Sequence, residues 1–187
     1  EEPAANKAAK KKVTKTFVKG VGGALGGVPI TIPDGDGNAT QVVRSGVVVK
    51  GLNPRGKVTD VNVGVRAVHP QAQDLEFYLA SPRGVINLSS DNGGAGNNYG
   101  SGPASCAGQF TLFDSDVPTL ISTPGLTAPF AGSFAPEESL NQLEGLGNKK
   151  ATNATWTLLA EDDSNANPAG QLMCFKLTIT STNPKRK

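Results

Sequence analysis

An all-β sandwich or barrel is the fold class that the sequence predicts, on three observations. Several short stretches alternate apolar and polar residues with a period of two. Gly, Asn, Asp and Pro punctuate them, with 23 Gly and 13 Pro in 187 residues. Only one segment carries a helical pattern. The length suits one domain with its own core.

The elements follow in chain order. Residues 1–16, "EEPAANKAAKKKVTKT", are rich in Ala and Lys and lack a wide apolar face. They are expected to form a flexible basic tether that extends to residue 19, ahead of the folded body at 20–182. The stretch 20–38 is Gly-rich, strand-like at Pro29–Ile32, and turns at Asp34–Asn38. A strand candidate at 41–52 is broken by Gly46. Residues 56–68, "GKVTDVNVGVRAV", alternate cleanly, with Val61, Val63, Val65 and Ala67 facing in. Residues 74–82 alternate again on Leu75, Phe77 and Leu79. The turn "SPRG" joins them to a strand at 85–90, Pro82 and Gly84 supplying the backbone angles. A long polar loop at 91–108 precedes a strand at 109–116, and a Pro-punctuated irregular passage fills 117–136. Residues 136–146 carry the helical signal: Pro136 to start it, Glu137 and Glu138 in the first turn, Leu140 and Leu143 three apart. Strands at 154–163 and 171–181, joined by "SNANPAG", close the domain. Residues 183–187 read as a basic tail.

Charge is unevenly placed. Residues 1–19 hold six lysines against Glu1 and Glu2, a balance of +4. The last five residues add +3, which leaves −5 for residues 20–182 of a chain with net charge +2. An acidic body with basic ends does not suit a nucleic-acid binder, whose cations and aromatics gather on one folded face. The basic ends suit solvated linkers or weak anchors to an anionic surface. No apolar run is long enough to span a bilayer as a helix.

Cys106 and Cys174 are the only cysteines and have no His or Cys neighbours to complete a four-ligand zinc site. An opening without Met, as after removal of an export signal, points to a secreted, extracellular protein. There the two cysteines pair, and the loop-closure model gives such a bridge roughly 4 kcal/mol.

The ordered pieces "VTDVNVGVRAVHPQAQDLEFYLASPRGVINLSS", "FTLFDSD", "APFAGSFAPEESLNQLEGL" and "ATWTLLAEDDSNANPAGQLMCFKLTIT" resemble the P domain (Homo B domain). That domain follows the catalytic domain in subtilisin-like proprotein convertases and occurs in bacterial secreted proteins. The resemblance covers roughly residues 28–181 and departs from the family pattern at Gln73 and Ala154, where Gly is usual. It implies a jelly-roll β-sandwich of about eight strands, export, and a partner such as a protease domain or a cell-surface component. It implies no catalysis by the domain itself.

Candidate chemistry is sparse. His69 is the only histidine, and a Ser–His–Asp site needs a nucleophile on a shaped turn that no motif here supplies. His69 and Asp74 are expected to brace a loop. Glu161, Asp162, Asp163 and Asn165, with Asp114, Asp116, Asp91 and Asn92, are hard-oxygen donors that suit calcium; they are equally the residues that form turns. Asp74, Asp162 and Asp163 are the expected calcium ligands if the donor reading holds. Trp156 falls on the inward side of its strand, as a core residue rather than a stacking platform. Asn38, Asn87 and Asn153 open Asn-x-Ser/Thr triplets, which matter in a eukaryotic secretory route. The function expected is a secreted non-catalytic module with an accessory or stabilising role. The alternative is a carbohydrate- or cell-wall-binding module, which needs a row of exposed aromatics.

Overall fold

The computed structural model describes residues 11–20, 29–35 and 41–184. Its strands are β1 (Lys12–Gly20), β2 (Ile30–Ile32), β3 (Val43–Val48), β4 (Val58–Val68), β5 (Leu75–Ser81), β6 (Gly84–Ser89), β7 (Thr111–Phe113), β8 (Gly132–Phe134), β9 (Thr155–Asp162) and β10 (Gly170–Thr182). They make a two-sheet all-β sandwich. One sheet runs β1–β10–β4–β7–β8, with β2 also paired to β10; the other runs β3–β9–β5–β6. All pairs are antiparallel except β7–β8.

The alternation places the core. Val61, Val63, Val65 and Ala67 of β4 face Leu75, Phe77 and Leu79 of β5 and Trp156, Leu158 and Ala160 of β9, all buried. Trp156 is fully buried and its Nε1–H donates to the Ala151 carbonyl at 3.3 Å. Phe77, Tyr99, Phe130 and Phe134 pack in a chain, with centroids 4.7, 5.1 and 5.6 Å apart; the outer two pairs meet edge to face and Tyr99–Phe130 is tilted. The tight turn at Pro82–Arg83 joins β5 to β6, where Ser81 faces Gly84.

Four expectations need correction. Residues 12–19 are not tether: they form β1, because Val13 and Phe17 alternate with threonines and half-bury against the domain. Thr14 and Thr16 pair their hydroxyls with Thr180 and Thr178. Residues 1–10 of the expected tether, and 185–187 of the expected tail, lie outside the described residues. Gly46 does not break its strand; it lets β9 approach, since a Cβ there would meet Thr155 Cγ2 at 2.8 Å. The expected helix at 136–146 is not an α-helix. The Glu137 and Glu138 amides donate to the Leu88 and Asn87 carbonyls and run that segment along the edge of β6, leaving one 3₁₀ turn at Leu140–Leu143. The short helix α1 lies later, at Asn148–Ala151. The fourth concerns the irregular passage at 117–136, which contains β8.

A β-bulge between Leu172 and Cys174 resets the parity of β10. Leu172 and Phe175 therefore both point into the core, while Cys174 faces outward beside Arg66. The polar loop 100–109 folds over this pair. Arg66 is only 2% exposed, and its guanidinium donates to the carbonyls of Ser101, Gln109 (3.0 Å), Gly102 (3.2 Å) and Pro103 (2.5 Å). Gly108 permits this approach, because a Cβ there would sit 2.5 Å from the Arg66 Cζ. Cys106, on the same loop, is disulfide-bonded to Cys174 with Cα atoms 5.3 Å apart across 68 residues of chain. Replacing both cysteines with serine is expected to lower the unfolding free energy by roughly 4 kcal/mol. Urea denaturation of the two proteins checks this, with the m-value also rising as the unfolded chain expands.

Candidate functional site

The ends of the strands carry two acidic constellations, and strand geometry decides which residues enter each. Successive side chains on β9 point to opposite faces. Asp162 thus continues the inward row of Trp156, Leu158 and Ala160, whereas Glu161 and Asp163 lie on the outer side. On β5 the same alternation places Glu76 outward, directly opposite Glu161.

The inner constellation joins His69, Asp74 and Asp162, all buried. His69 Nε2 meets Asp162 Oδ2 at 2.9 Å, and Nδ1 lies 2.6 Å from the Gln71 carbonyl. The second Asp162 oxygen accepts from the Ser164 amide at 3.1 Å. Burial raises the Asp162 pKa, while the Ser164 N–H and His69 pull it back down. Asp74 accepts from the side-chain amides of Gln71 (3.2 Å) and Asn167 (2.9 Å), and its carbonyl accepts from the Asp163 amide. The His69 amide donates to Asn98 Oδ1 at 2.9 Å. Asp74 therefore does not hold the imidazole; Asp162 does, and three loops are tied together around it. Gly170 lies against the ring: a Cβ there would meet His69 Cδ2 at 2.7 Å.

The outer constellation joins Glu76, Asp91 and Asp163, with one oxygen from each lying within 4.8 Å of the others. That spacing lets all three touch one cation at a calcium–oxygen distance of about 2.4 Å. Glu76 accepts from the Tyr78 and Ser90 hydroxyls, each at 2.7 Å. Burial works against its charge, but hydrogen bonds from Glu161, Tyr78 and Ser90 outweigh it and hold its pKa below the usual glutamate value. Burial raises the Asp163 pKa, and the charges of Glu76, Asp91 and Asp74 raise it further.

Of the three expected calcium ligands, the structure places Asp74 and Asp162 in the His69 cluster and Asp163 alone in the outer one. Glu76, the third member with Asp91, was hidden in the strand alternation. Asp114 and Asp116 serve a turn, the Asp116 amide donating to Asp114 Oδ1 at 2.9 Å. They also press on Asp60: burial, then the charges of Asp114, Asp116 and Glu144, raise its pKa. Asn153 is exposed on a left-handed turn (φ 62°), whereas the Asn87 side chain donates to Glu137; Asn38 lies outside the described residues.

No family model matches this chain, and no curated protein matches it. Among solved structures it is similar to the serine protease of Aeromonas sobria in complex with the chaperone ORF2. The identity is 17% and the TM-score 0.46, over 92% of this chain and 27% of that one. It is also similar to a structure of the serine protease of Aeromonas sobria, at 16% identity and TM-score 0.44, over 95% of this chain and 28% of that one. The chain thus spans little more than a quarter of either protease chain.

Asp162→Asn is expected to destabilise the protein by about 1–3 kcal/mol, as the loss of a buried hydrogen-bond acceptor does. Gly170→Ala, which leaves both side chains present but displaces the ring, should lower the melting temperature as well; an unchanged melting curve for both would show the cluster to be idle. The raised pKa of Asp60 has the opposite consequence. A carboxyl with a folded-state pKa above its unfolded value favours folding below about 3.8 and loses that contribution as pH rises through the folded pKa. Asp60→Asn is therefore expected to be more stable than the parent at pH 7, with the gap shrinking as pH falls towards 4 in parallel thermal scans.

Proposed function

We propose that this chain is a non-catalytic, P-domain-like β-sandwich module of a secreted protein. It acts beside a protease domain or at a cell surface, and its acidic end takes calcium. The observation that carries the non-catalytic reading is the placement of the sole histidine. Both ring nitrogens are occupied inside the fold, one by Asp162 and one by the Gln71 carbonyl, and the ring is buried. A histidine that serves as a base turns one nitrogen towards a nucleophile and the other towards its carboxylate. The order of sequence motifs supports the P-domain reading, and the disulfide suits an oxidising compartment. Among the described residues, no helix is long and apolar enough to cross a membrane.

The outer constellation fits calcium in its donors. Glu76, Asp91 and Asp163 would hold the ion through carboxylate oxygens alone. Bound there, the ion would fasten the loop after β6 to the end of β9. The inner constellation is a poorer host, since its oxygens are already satisfied by amides and imidazole. The carbohydrate-binding alternative lacks its expected surface among the described residues: Trp156, Tyr99 and Phe77 are buried, and the large exposed apolar side chains are Val48, Val68, Val85 and Leu120.

Two measurements test this reading. A fluorogenic peptide assay on the isolated chain should give no turnover; turnover that survives purification to homogeneity would overturn the non-catalytic assignment. Calcium at a hundredfold excess over its dissociation constant should stabilise the fold by about 3 kcal/mol, roughly 5–10 °C for a chain of this size. Asp163→Asn should abolish that shift, while Asp74→Asn should keep it. A melting temperature indifferent to calcium would remove the ion from the model of function.

A further inference from the structure

Charge is segregated along the strand axis. The loops carrying Asp74, Asp91 and Asp163 meet at one end, where the Asp163 amide bonds the Asp74 carbonyl and the Asn98 amide bonds that of His69. The opposite end gathers residues 49–57, α1 and the end of β10: Asn148 N–H bonds the Gly56 carbonyl, Thr182 N–H that of Lys57, and Asn183 N–H that of Lys11. Lys12, Lys50, Arg55 and Lys57 lie there, with Lys149 and Lys150 on α1. Leaving Glu161 aside, no Lys or Arg among the described residues forms an ion pair with a carboxylate; the ion pair present is His69–Asp162. The carboxylates nearest the basic end, Asp60 and Glu144, sit together on the side of β7.

A groove of about 420 Å³ opens at this basic end between the start of β1, residues 51–55 and the end of β10. Val13, Leu52 and Pro54 give it an apolar lining, and Leu52 is 5% exposed. Asn53 and Asn183 line it with amides locked to each other, Asn53 Nδ2 donating to Asn183 Oδ1 at 2.6 Å. Arg55 lines it as well. The Lys15 ammonium lies over Gly51, 3.1 Å from where a Cβ would stand. Neither Arg55 nor Lys15 has a carboxylate partner among the described residues. The volume admits one medium-sized side chain and its backbone, and the two cations flank it.

We infer that this groove docks an acidic peptide segment of a partner protein, one apolar side chain entering against Val13 and Leu52 while flanking carboxylates meet Lys15 and Arg55. Charge complementarity selects this occupant. Unpaired cations around an apolar floor match an apolar anchor set among carboxylates, and the surrounding lysines raise the encounter rate of such a segment. A sugar would find no aromatic face here to stack on. The inference rests on the accessory reading only in taking the partner to be a protein.

The test uses the full chain and a fluorescein-labelled peptide, Gly-Glu-Glu-Leu-Glu-Glu-Gly, in an anisotropy titration, with amide chemical shifts recorded in parallel. Binding is expected to perturb the amides of Val13, Gly51, Leu52 and Arg55. It should weaken at least about tenfold in Lys15→Glu/Arg55→Glu, and fall as salt is raised from about 0.05 M to about 0.5 M. Lys149→Glu/Lys150→Glu makes the same change of net charge outside the groove and should weaken binding by no more than about threefold, the loss of long-range steering alone. The peptide with Gln in place of Glu should not bind. Equal loss in both variant pairs, shifts elsewhere, preference for a galacturonate oligomer, or self-association in sedimentation would each overturn the assignment. Failure here with peptide turnover still absent would leave the non-catalytic reading standing; turnover with binding intact would do the reverse.

Discussion

The antiparallel ladder between β4 and β10 is the constraint on which the other elements hang. The two strands run 11 and 13 residues, about twice the usual strand length, and β10 also receives β1 and β2. A slip of one residue would turn Val61, Val63 and Val65 to solvent, so the apolar row fixes the register. The register shifts twice, at Met173 and again between Thr180 and Ser181, and the bulge at Met173 lets the same strand serve two surfaces. Leu172 and Phe175 fill the core while Cys174 and Arg66 receive the loop 100–109 on the outside. Arg66 anchors the loop from below: its guanidinium gathers four loop carbonyls, of which those of Ser101, Pro103 and Gln109 also accept a backbone N–H.

The two acidic constellations illustrate different uses of the same residue type. Inside, Asp162 is hydrogen-bonded by an imidazole and a backbone amide, and the result is a fastening between three loops. Outside, the carboxylates of Glu76, Asp91 and Asp163 converge on one another. Like charges this close raise one another's pKa, as the Asp163 carboxyl shows. The contrast is what separates a structural histidine cluster from a donor set with a ligand's shape.

Much of the sandwich was legible because most central strands bury one face, which writes a period of two into "VTDVNVGVRAV", "DLEFYL" and "ATWTLL". β1 was not, since an edge strand interleaves Lys and Thr with its few apolar residues, and that composition also describes a linker. The helical reading of 136–146 failed because Leu140 and Leu143 satisfy a 3₁₀ turn as well as an α-helix, and pairing with β6 took the backbone donors ahead of them. The site was half legible. Asp162 and Asp163 were grouped by proximity in sequence, yet neighbours on a strand face opposite ways. Counting parity from Trp156 would have separated them and drawn Glu76 and Glu161 together.

The pairing of Lys12 with Thr182, and the 2.6 Å bond from the Asn183 amide to the Lys11 carbonyl, carry a consequence for architecture. The described chain enters and leaves the sandwich through adjacent residues at one pole. A fold with that property can be spliced into a surface loop of a host, or circularly permuted, without stretching either connection. Hung in that way, it turns its acidic loops outward along the axis and keeps its lysine-rich pole against whatever carries it.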